Sequence, residues 1–383
     1  MVCSWNNYCN QQIYTVNLVK SRSIRFIWHC TVNELIFLNK RNKENSPVTK
    51  PLKIVIPTAG FGSRLRPLTW SRPKPLISLA GGTVLDILLN SFRSIPNFDE
   101  VEFVIILGSW MGEQIPPYIT EHYPDWHVDF AVQPEMKGQS DALWCAREFL
   151  HGPMMMSFSD TLLDHDFSFL GEEKAEAVAL VKPVPDPRRF GVAEVDAAGR
   201  VTHLVEKPQS IENNLAVVGC YYFQEAEDLV GAIETQIERN VSLKNEYYLA
   251  DAINIMLERG LKMRTEKVDA WLDAGTAEAL LETNAYFLEH GRDNSITAQV
   301  EESVIIPPVH IHPGARVSAS VIGPHVSVGE GASIKGSTVK NSIIGPGTHV
   351  THCMLENSLI GHSVTITGQT GKFNLGDNSW AVQ

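Results

Sequence analysis

A glycine-rich turn at residues 57–67, with the sequence PTAGFGSRLRP, carries the side chains best suited to chemistry. Gly60 and Gly62 let the backbone approach a phosphate closely and direct its N–H groups toward it. Arg64 adds a forked cation that suits a triphosphate. Lys74 supplies a second positive charge a few residues later. The turn therefore predicts a site for a phosphorylated ligand.

Two common phosphate-binding motifs do not fit this turn. The Walker motif requires the pattern G-x-x-x-x-G-K-[ST], which is absent here, and the dinucleotide fingerprint requires a third Gly or Ala where Leu65 stands. A glycine-rich turn taken alone is weak evidence, so its meaning depends on the other motifs of the chain.

The turn and the sequence RPKPL at residues 72–76 together resemble the signature of the sugar-1-phosphate nucleotidyltransferases. This family includes glucose-1-phosphate thymidylyltransferase and mannose-1-phosphate guanylyltransferase. Further matches occur in order over residues 52–290: Gln133 with GQSDA at 138–142, SD at 159–160, FG at 190–191, EKP at 206–208, VVGCY at 217–221 and WLDAGT at 271–276. Several ordered matches are far more specific than any one of them.

The resemblance implies transfer of a nucleoside monophosphate from a nucleoside triphosphate to a sugar 1-phosphate, with release of pyrophosphate. It implies a catalytic set of Arg64, Lys74, Asp160 and Asp273, in which the two aspartates hold Mg²⁺ as the cofactor. It also implies a nucleotide-binding set of Ala59, Gly60, Gly62, Ser63, Gln133 and Gly138, and a sugar-phosphate-binding set of Gly191, Glu206, Lys207 and Val217. Arg64 is expected at the leaving phosphates, Lys74 at the α-phosphate and Lys207 at the sugar phosphate.

These residue types suit the reaction. A phosphate monoester has a second pKa near 6, so the attacking oxygen is already ionised and needs no general base. Positioning and charge compensation must then supply nearly all of the catalysis. The chain has a net charge of −12, and its first 53 residues carry +6. An acidic body must concentrate its few cations at the site or recruit metal ions.

Each assignment has a simpler alternative. Asp160 could be an ordinary turn residue at the end of a strand, and Asp273 could cap a helix that begins near Thr276. Glu206 and Lys207 could form a surface ion pair of little energetic consequence. Trp271 and Tyr222 are interpreted as packing residues.

The elements around these motifs indicate an α/β domain over residues 52–290. Short apolar runs at 53–57, 101–107, 154–158 and 177–181 alternate with helical stretches at 84–92 and 141–150. Such alternation predicts a Rossmann-like domain with a mostly parallel sheet. Residues 245–259 and 277–290 are predicted to be helices, and a polar linker comes next over 290–295.

A different pattern begins after the linker, over residues 296–370. Aliphatic residues recur mostly at spacings of six, with Gly, Pro and small polar residues between them, at Ile311, Val317, Ile322, Val328, Ile334, Ile344, Val350, Ile360 and Ile366. A hexapeptide period predicts a short left-handed parallel β-helix of three to four coils. Residues 371–383 are expected to form a C-terminal tail. A β-sandwich is the alternative, but its strands would alternate with period two.

Histidines of the repeat region could suggest metal binding or acyl transfer: His310, His312, His325, His349, His352 and His362. Hexapeptide β-helices resemble many acyl-coenzyme A transferases. We interpret these histidines as turn residues and expect the β-helix to have a structural or oligomerising role, because its open end or flat face is readily buried against a copy of itself.

The first 51 residues lack helical or strand periodicity and are expected to be a disordered or spurious extension. No stretch is long and apolar enough for a membrane span. The acidic charge argues against a nucleic-acid partner, and the scattered cysteines fit neither a zinc site nor a disulfide framework. We therefore expect a cytoplasmic protein that binds a nucleoside triphosphate and a sugar 1-phosphate and forms a homo-oligomer.

The sequence leaves the base and the sugar open. We expect dTTP or UTP with glucose 1-phosphate, and mannose-1-phosphate guanylyltransferase is the alternative within the class. A non-catalytic regulatory relative is the alternative from another class. It would have no reason to retain both aspartates together with Arg64, Lys74 and Lys207.

Overall fold

The computed structural model describes residues 50–382, together with two short strands, β1 (Thr15–Val16) and β2 (Ile24–Arg25), which pair antiparallel. The predicted N-terminal extension otherwise lies outside the described residues. No helix in the described part of the chain is long and apolar enough to cross a membrane.

The strands of the first large domain are β3 (Lys53–Pro57), β4 (Ser78–Leu79), β5 (Gly82–Thr83), β6 (Glu102–Gly108), β7 (His127–Gln133), β8 (Met154–Ser157), β9 (Thr161–Asp164), β10 (Ala177–Pro183), β11 (Gly191–Val195), β12 (Val201–Glu206), β13 (Leu215–Phe223), β14 (Met263–Lys267) and β15 (Ala270–Asp273). Its α-helices are α1 (Val84–Ser91), α2 (Ile115–His122), α3 (Gln139–Cys145), α4 (Ala226–Glu238), α5 (Leu249–Glu258) and α6 (Ala277–Phe287). Single 3₁₀ turns lie at Ser63–Leu65, Leu68–Trp70, Lys74–Leu76, Phe92–Ser94, Phe98–Glu100, Gly112–Gln114, Arg147–Phe149 and Phe167–Gly171, and a π turn lies at Leu288–Arg292.

These bounds agree with the predicted elements to within a few residues, with one larger difference. The helix expected from residue 245 begins at Leu249. Lys244 and Asn245 have φ angles of 53° and 63°, in the left-handed region that a right-handed helix cannot include.

The central sheet has nine strands and is mixed in direction. Strand β3 pairs in parallel with β6 and β8, and β6 pairs in parallel with β7, as expected for the first half of the domain. Strand β13 runs antiparallel to β8, β10 and β11, so the sheet is less uniformly parallel than the sequence suggested.

Both faces of this sheet are covered. Ile54, Val55 and Ile56 on β3 are completely buried. Because side chains alternate along a strand, Ile54 and Ile56 join the core beneath α1, whereas Val55 joins the core beneath α4 and α5. Burial on both faces explains why the strand reads as a continuous apolar run.

The second domain is a parallel β-helix with three faces, and each face is a five-stranded parallel sheet. The first face contains β16 (Val304–Ile305), β19 (Val321–Ile322), β22 (Thr338–Lys340), β25 (Met354–Glu356) and β28 (Thr370–Gly371). The second contains β17 (Val309–Ile311), β20 (Val326–Val328), β23 (Ser342–Ile344), β26 (Leu359–Ile360) and β29 (Asn374–Leu375). The third contains β18 (Arg316–Ser318), β21 (Ser333–Lys335), β24 (His349–Thr351), β27 (Thr365–Thr367) and β30 (Trp380–Val382).

The interior of the β-helix confirms the hexapeptide reading. Val317, Ile334, Val350 and Ile366 stand in register on successive coils of the third face and are almost completely buried. The structure has five coils rather than three to four. Residues 371–382, expected to be a tail, form most of the fifth coil, in which Leu375 and Ala381 take the interior positions. The pattern was missed there because Phe, Leu and Ala replace the regular Ile and Val.

The β-helix packs against the first domain. Ile343 and Leu359 of its second face belong to the same apolar core as α1 and α6. Asn284 of α6 accepts a hydrogen bond from the Ser327 hydroxyl on β20, at 2.7 Å. The two domains therefore share a packed junction.

Candidate active site

A cavity of about 530 Å³ opens beside the ends of strands β8 and β11 and beside β15. Predicted site residues line it at several points, namely Arg64, Asp160, Asp273, Gly191, Glu206 and Val217. A crevice at the carboxyl ends of parallel strands is the usual ligand site of an open α/β sheet. We call this space the substrate cavity.

Asp160 follows β8 and is held by a cation from the glycine-rich segment. Its carboxylate accepts a hydrogen bond from the Lys74 ammonium at 2.7 Å, and Lys74 itself is only 8% exposed. Burial disfavours the charged carboxylate, but the nearby Lys74 and Arg64 outweigh this effect and hold the pKa of Asp160 below its ordinary value. The carboxylate is therefore ionised at neutral pH.

Asp273 comes close to Asp160 through strand pairing. Strands β15 and β9 are antiparallel and place Asp273 opposite Thr161, the residue after Asp160. The next backbone amide, that of Ala274, donates to the carbonyl of Asp160 at 3.3 Å. The Thr276 hydroxyl, rather than Asp273, caps α6 by accepting from the amide of Ala279. Residues more than one hundred positions apart are thus brought to one corner of the substrate cavity.

Arg64 lies close to Asp273, and Gly275 leaves the space for its guanidinium. A Cβ atom placed on Gly275 would lie 2.9 Å from Arg64 Nη2 and 2.7 Å from Asp273 Oδ1. The amide of Gly275 donates to that Asp273 oxygen at 2.7 Å. Arg64 forms no ion pair within residues 50–382, so its guanidinium is available to an anionic ligand.

The glycine-rich turn itself folds back over Lys74. Gly62 has a φ angle of 58°, and a Cβ there would lie 2.9 Å from Thr69 Cγ2 and 3.2 Å from Lys74 Cβ. The Thr69 hydroxyl donates to the carbonyl of Gly62 at 2.8 Å. Gly60 has open space around it, because no atom of the described residues lies within 4 Å of a Cβ built there. Ala59 and Ser63 flank these glycines in the same turn.

Gln133 and Gly138 lie outside the wall of the substrate cavity. The buried amide nitrogen of Gln133 donates to the carbonyl of Gly138 at 3.1 Å and to Asp141 Oδ2 at 2.7 Å. Gly138 has a φ angle of 103°, and a Cβ there would lie 2.4 Å from the carbonyl of Tyr247. In this structure both residues shape the loop that leads into α3.

Three of the four residues predicted for the sugar phosphate line the cavity, and Lys207 lies outside its wall, next to Glu206. Gly191 and Glu206 face each other across the β11–β12 pair, beside Val217. The Lys207 ammonium lies 3.5 Å from Glu206 and 5.3 Å above the centre of the Tyr248 ring. The ion pair between Glu206 and Lys207, considered above as the simpler explanation of these residues, is therefore present. It contributes little to stability, because the Lys207 side chain is 55% exposed.

The lining residues to which the sequence analysis gave no role include Arg189 and Tyr248, and Gln139 from the GQSDA segment also lines the cavity. Arg189 forms no ion pair in the described part of the chain, whereas its neighbour Arg188 pairs with Asp186 at 2.7 Å. The side-chain oxygen of Gln139 is buried without a hydrogen-bond partner among the described residues. Trp271, interpreted as a packing residue, packs edge-on against Phe190 at 4.9 Å and also lines the cavity.

Two carboxylates could hold a metal ion in this cavity, those of Asp160 and Asp273. The described residues contain no group of three or more His, Cys, Asp or Glu side chains arranged as metal ligands. A pair of carboxylates fits Mg²⁺, which commonly takes one or two protein carboxylates and completes its shell with phosphate and water oxygens. The donor set therefore suits an ion that arrives with a nucleotide.

Comparisons with known proteins identify relatives of both domains. The family model described as nucleotidyl transferase matches residues 53–290, and that described as GlmU-like C-terminal hexapeptide matches residues 293–339. The low-salt glycan biosynthesis nucleotidyltransferase Agl11 of Haloferax volcanii is 33% identical over 62% of this chain and 66% of its own length. The chain thus spans just under two thirds of that relative.

A longer match joins both domains. The glucose-1-phosphate thymidylyltransferase of Streptomyces griseus is 28% identical over 83% of this chain and 88% of its own length. The crystal structure of a putative glucose-1-phosphate thymidylyltransferase of Bacillus anthracis has the same fold, with a TM-score of 0.53 and 23% identity, over 61% of this chain and 94% of its own.

Proposed function

The chain belongs to the nucleotidyl transferase family, and from this premise we propose that it transfers a nucleoside monophosphate from a nucleoside triphosphate to a hexose 1-phosphate. The observation that carries the proposal is the meeting of Asp160, Asp273, Lys74 and Arg64 at one end of the substrate cavity. An anion-binding end and a sugar-sized space in one cavity suit a reaction between two phosphorylated substrates.

The reaction exchanges one phosphorus–oxygen bond for another. A phosphate oxygen of the sugar 1-phosphate attacks the α-phosphorus, the bond from that phosphorus to the bridging oxygen of the β-phosphate breaks, and pyrophosphate leaves. The attacking phosphate is already ionised near neutral pH, so no side chain has to remove a proton. The barrier comes mainly from bringing two anions together in line.

The cationic side chains in and near the cavity lower this barrier by offsetting the negative charge of the two substrates. We assign Arg64 to the leaving phosphates, because it lines the cavity and its guanidinium forms no ion pair with the residues that the structure describes. Lys74 contributes positive charge at the α-phosphate end while it holds Asp160 in place. Arg189, in the wall of the cavity, and Lys207, next to the lining residue Glu206, bind the phosphate of the sugar substrate. Fixed charges in a partly closed cavity stabilise developing charge better than water does.

Asp160 and Asp273 would hold Mg²⁺, which would supply positive charge to offset that of the phosphates. In this proposal Asp160 has to stay ionised, and both carboxylates have to stay fixed in position. Lys74 lowers the pKa of Asp160 against the effect of burial, and the amide of Gly275 orients Asp273.

For the substrates, dTTP or UTP with glucose 1-phosphate is the pair that we propose. Support comes from the match to a glucose-1-phosphate thymidylyltransferase over both domains. Mannose 1-phosphate with GTP is the alternative. A non-catalytic relative is disfavoured, because the chain retains both aspartates and the surrounding cations.

The β-helix and the compartment complete the proposal. We assign the β-helix a structural and oligomerising role, since its stacked strands leave open ends that a second copy could cover.

The three cysteines within residues 50–382 are all unpaired, which suits a reducing compartment such as the cytoplasm.

Pyrophosphate release tests this function directly. The protein with Mg²⁺ is incubated with each pairing of dTTP, UTP, GTP, CTP or ATP with glucose 1-phosphate, mannose 1-phosphate or N-acetylglucosamine 1-phosphate. We expect release that requires both substrates and is fastest with dTTP or UTP and glucose 1-phosphate. No release with any pair would refute the proposal, and preference for GTP and mannose 1-phosphate would favour the alternative.

A further inference from the structure

The last coil of the β-helix touches the loop that joins Arg64 to Lys74. We call residues 66–73 the signature loop. The backbone of Gly376 lies so close to this loop that a Cβ there would be 2.9 Å from the carbonyl oxygen of Pro67. Two segments more than 300 residues apart in sequence are therefore in direct contact.

Asp377 makes the central polar contact. Its carboxylate is 5% exposed, and one oxygen accepts from Arg72 Nε at 2.9 Å and from the Ser71 hydroxyl at 2.8 Å. The other oxygen accepts from the backbone amide of His362 at 2.8 Å. One side of the carboxylate is thus fixed to the β-helix, and the other side holds the signature loop.

This contact differs in burial from a second ion pair at the junction, that of Lys372 with Glu278. Lys372 of the same coil lies 3.1 Å from Glu278 of α6, but both side chains are more than half exposed. Exposed pairs contribute little because water and salt screen them. A buried carboxylate with three hydrogen-bond donors is costly to disturb, because removing its charge weakens these hydrogen bonds and leaves at least one donor without an acceptor.

The signature loop connects the contact with Asp377 to residues of the candidate active site. Arg72 is two residues before Lys74, whose ammonium reaches Asp160 at 2.7 Å. Short turns begin directly after Arg72, since the amide of Leu76 donates to the carbonyl of Pro73 and that of Ile77 to the carbonyl of Lys74. In the first domain, the side-chain amide nitrogen of Gln114 donates to the backbone carbonyl of Ser71 at 3.1 Å. Release of Asp377 would leave Ser71 and Arg72 without their strongest anchor.

We propose that Asp377 is a positioning residue for nucleotidyl transfer, acting through Arg72 and Ser71 to hold the signature loop in the geometry that presents Arg64 and Lys74. The β-helix then contributes to the nucleotide end of the substrate cavity from outside it. This inference rests on the proposed function for its kinetic part. Its structural part, which concerns the order of the loop, does not.

The kinetic test compares Asp377→Asn with Lys372→Gln. Asp377→Asn keeps the size of the side chain but removes its charge and turns one acceptor into a donor. We expect kcat to fall on the order of 10- to 100-fold, because small displacements of positioned groups cost rate steeply. The KM for the nucleoside triphosphate should rise, and that for the sugar 1-phosphate should stay within about twofold. Lys372→Gln should match the wild type in all three constants.

Hydrogen exchange provides a readout that needs no turnover. Peptides that contain the amides of Leu65, Trp70, Leu76 and Ile77 should exchange faster in Asp377→Asn than in the wild type, while peptides from α4 and α5 stay unchanged. Lys372→Gln should leave the signature loop unaffected. Ser71→Ala, on the exposed side of the same contact, should give the same pattern with a smaller amplitude even if Asp377→Asn folds poorly.

The outcomes separate the two proposals. If the wild type releases no pyrophosphate with any substrate pair, the proposed function fails, and the exchange data alone decide whether Asp377 holds the loop. The positioning role is overturned if Asp377→Asn and Ser71→Ala both match Lys372→Gln in exchange and kinetics. It is also overturned if exchange rises equally throughout the protein, because that would indicate general destabilisation.

Discussion

The ammonium nitrogen of Lys74 lies 2.7 Å from a carboxylate oxygen of Asp160, although the two residues come from different loops of the sheet. Lys74 is almost fully buried, and the carboxylate of Asp160 faces the substrate cavity. The pair therefore joins the glycine-rich segment to a proposed metal ligand. Loss of the cation should affect the reaction more than the fold.

We expect Lys74→Met to lower kcat by roughly 10²–10³, because a preorganised charge at the reacting phosphate is lost. Steady-state pyrophosphate release would measure the change. Lys340→Met is the matched control, since Lys340 pairs with Glu356 on the exposed surface of the β-helix. Equal rates for the two variants would argue against a role for Lys74 in turnover.

Gly275→Ala should impair the reaction without unfolding the protein. The new Cβ would lie within 2.9 Å of both Arg64 Nη2 and Asp273 Oδ1 and would push one of them aside. We expect kcat to fall by about tenfold or more. Gly231→Ala is the control, because it lies in α4 with no atom within 4 Å of a built Cβ. A wild-type rate for Gly275→Ala would contradict the prediction, because it would show that the reaction does not depend on the exact positions of Arg64 and Asp273.

Arg189→Ala should weaken binding of the sugar 1-phosphate. A charge-assisted hydrogen bond contributes about 1.5–3 kcal/mol, so the KM for that substrate should rise roughly 10- to 100-fold, with a smaller effect on the nucleotide. Arg188→Ala tests the adjacent arginine, which is paired with Asp186 away from the cavity. The assignment of Arg189 is wrong if both variants give the same KM.

The sequence was most informative where local chemistry is unusual. The glycine-rich turn could be predicted because few residue types allow such a backbone, and Asp160 stood out because it directly follows a buried strand. The ordered matches to a known family then connected these segments. The interior of the β-helix was also predictable, because identical positions such as Ile334 and Val350 repeat from coil to coil.

Features that depend on distant segments could not be predicted. Strand β13 is almost uniformly buried, so its side chains give no periodicity from which its antiparallel direction could be read. Arg189 lies in the connection between β10 and β11, and its approach to the cavity depends on how that connection folds. Asp377 and Arg72 are more than 300 residues apart, and each is a charged residue that would be expected at the surface. No local sequence pattern indicates that they form an ion pair.

Acidification should weaken the junction between the domains through His362. Burial, and secondly the positive charge of Arg72, lower the pKa of this histidine from 6.5 to about 4. The unfolded chain then binds a proton between pH 6.5 and 4 that the folded protein does not, so this group makes stability fall as the pH drops through that window. Above pH 6.5 it has no effect.

Melting temperatures measured from pH 7.5 to 4 would test this. We expect the decline to be shallower in His362→Asn than in the wild type. His349→Asn, which changes an exposed histidine on β24, should follow the wild-type curve. A His362→Asn curve parallel to the wild type would show that this histidine does not link the junction to pH.

The central claim is that Asp160 and its neighbours form the reacting end of the substrate cavity, and the rate of Mg²⁺-dependent pyrophosphate release by Asp160→Asn tests it most directly. Asp164→Asn is the control, because Asp164 ends the following strand, β9, and bonds the Tyr286 hydroxyl outside the cavity. We predict that Asp160→Asn melts like the wild type but loses at least roughly 10³ in rate, while Asp164→Asn retains turnover. A near-normal rate for Asp160→Asn would contradict the account.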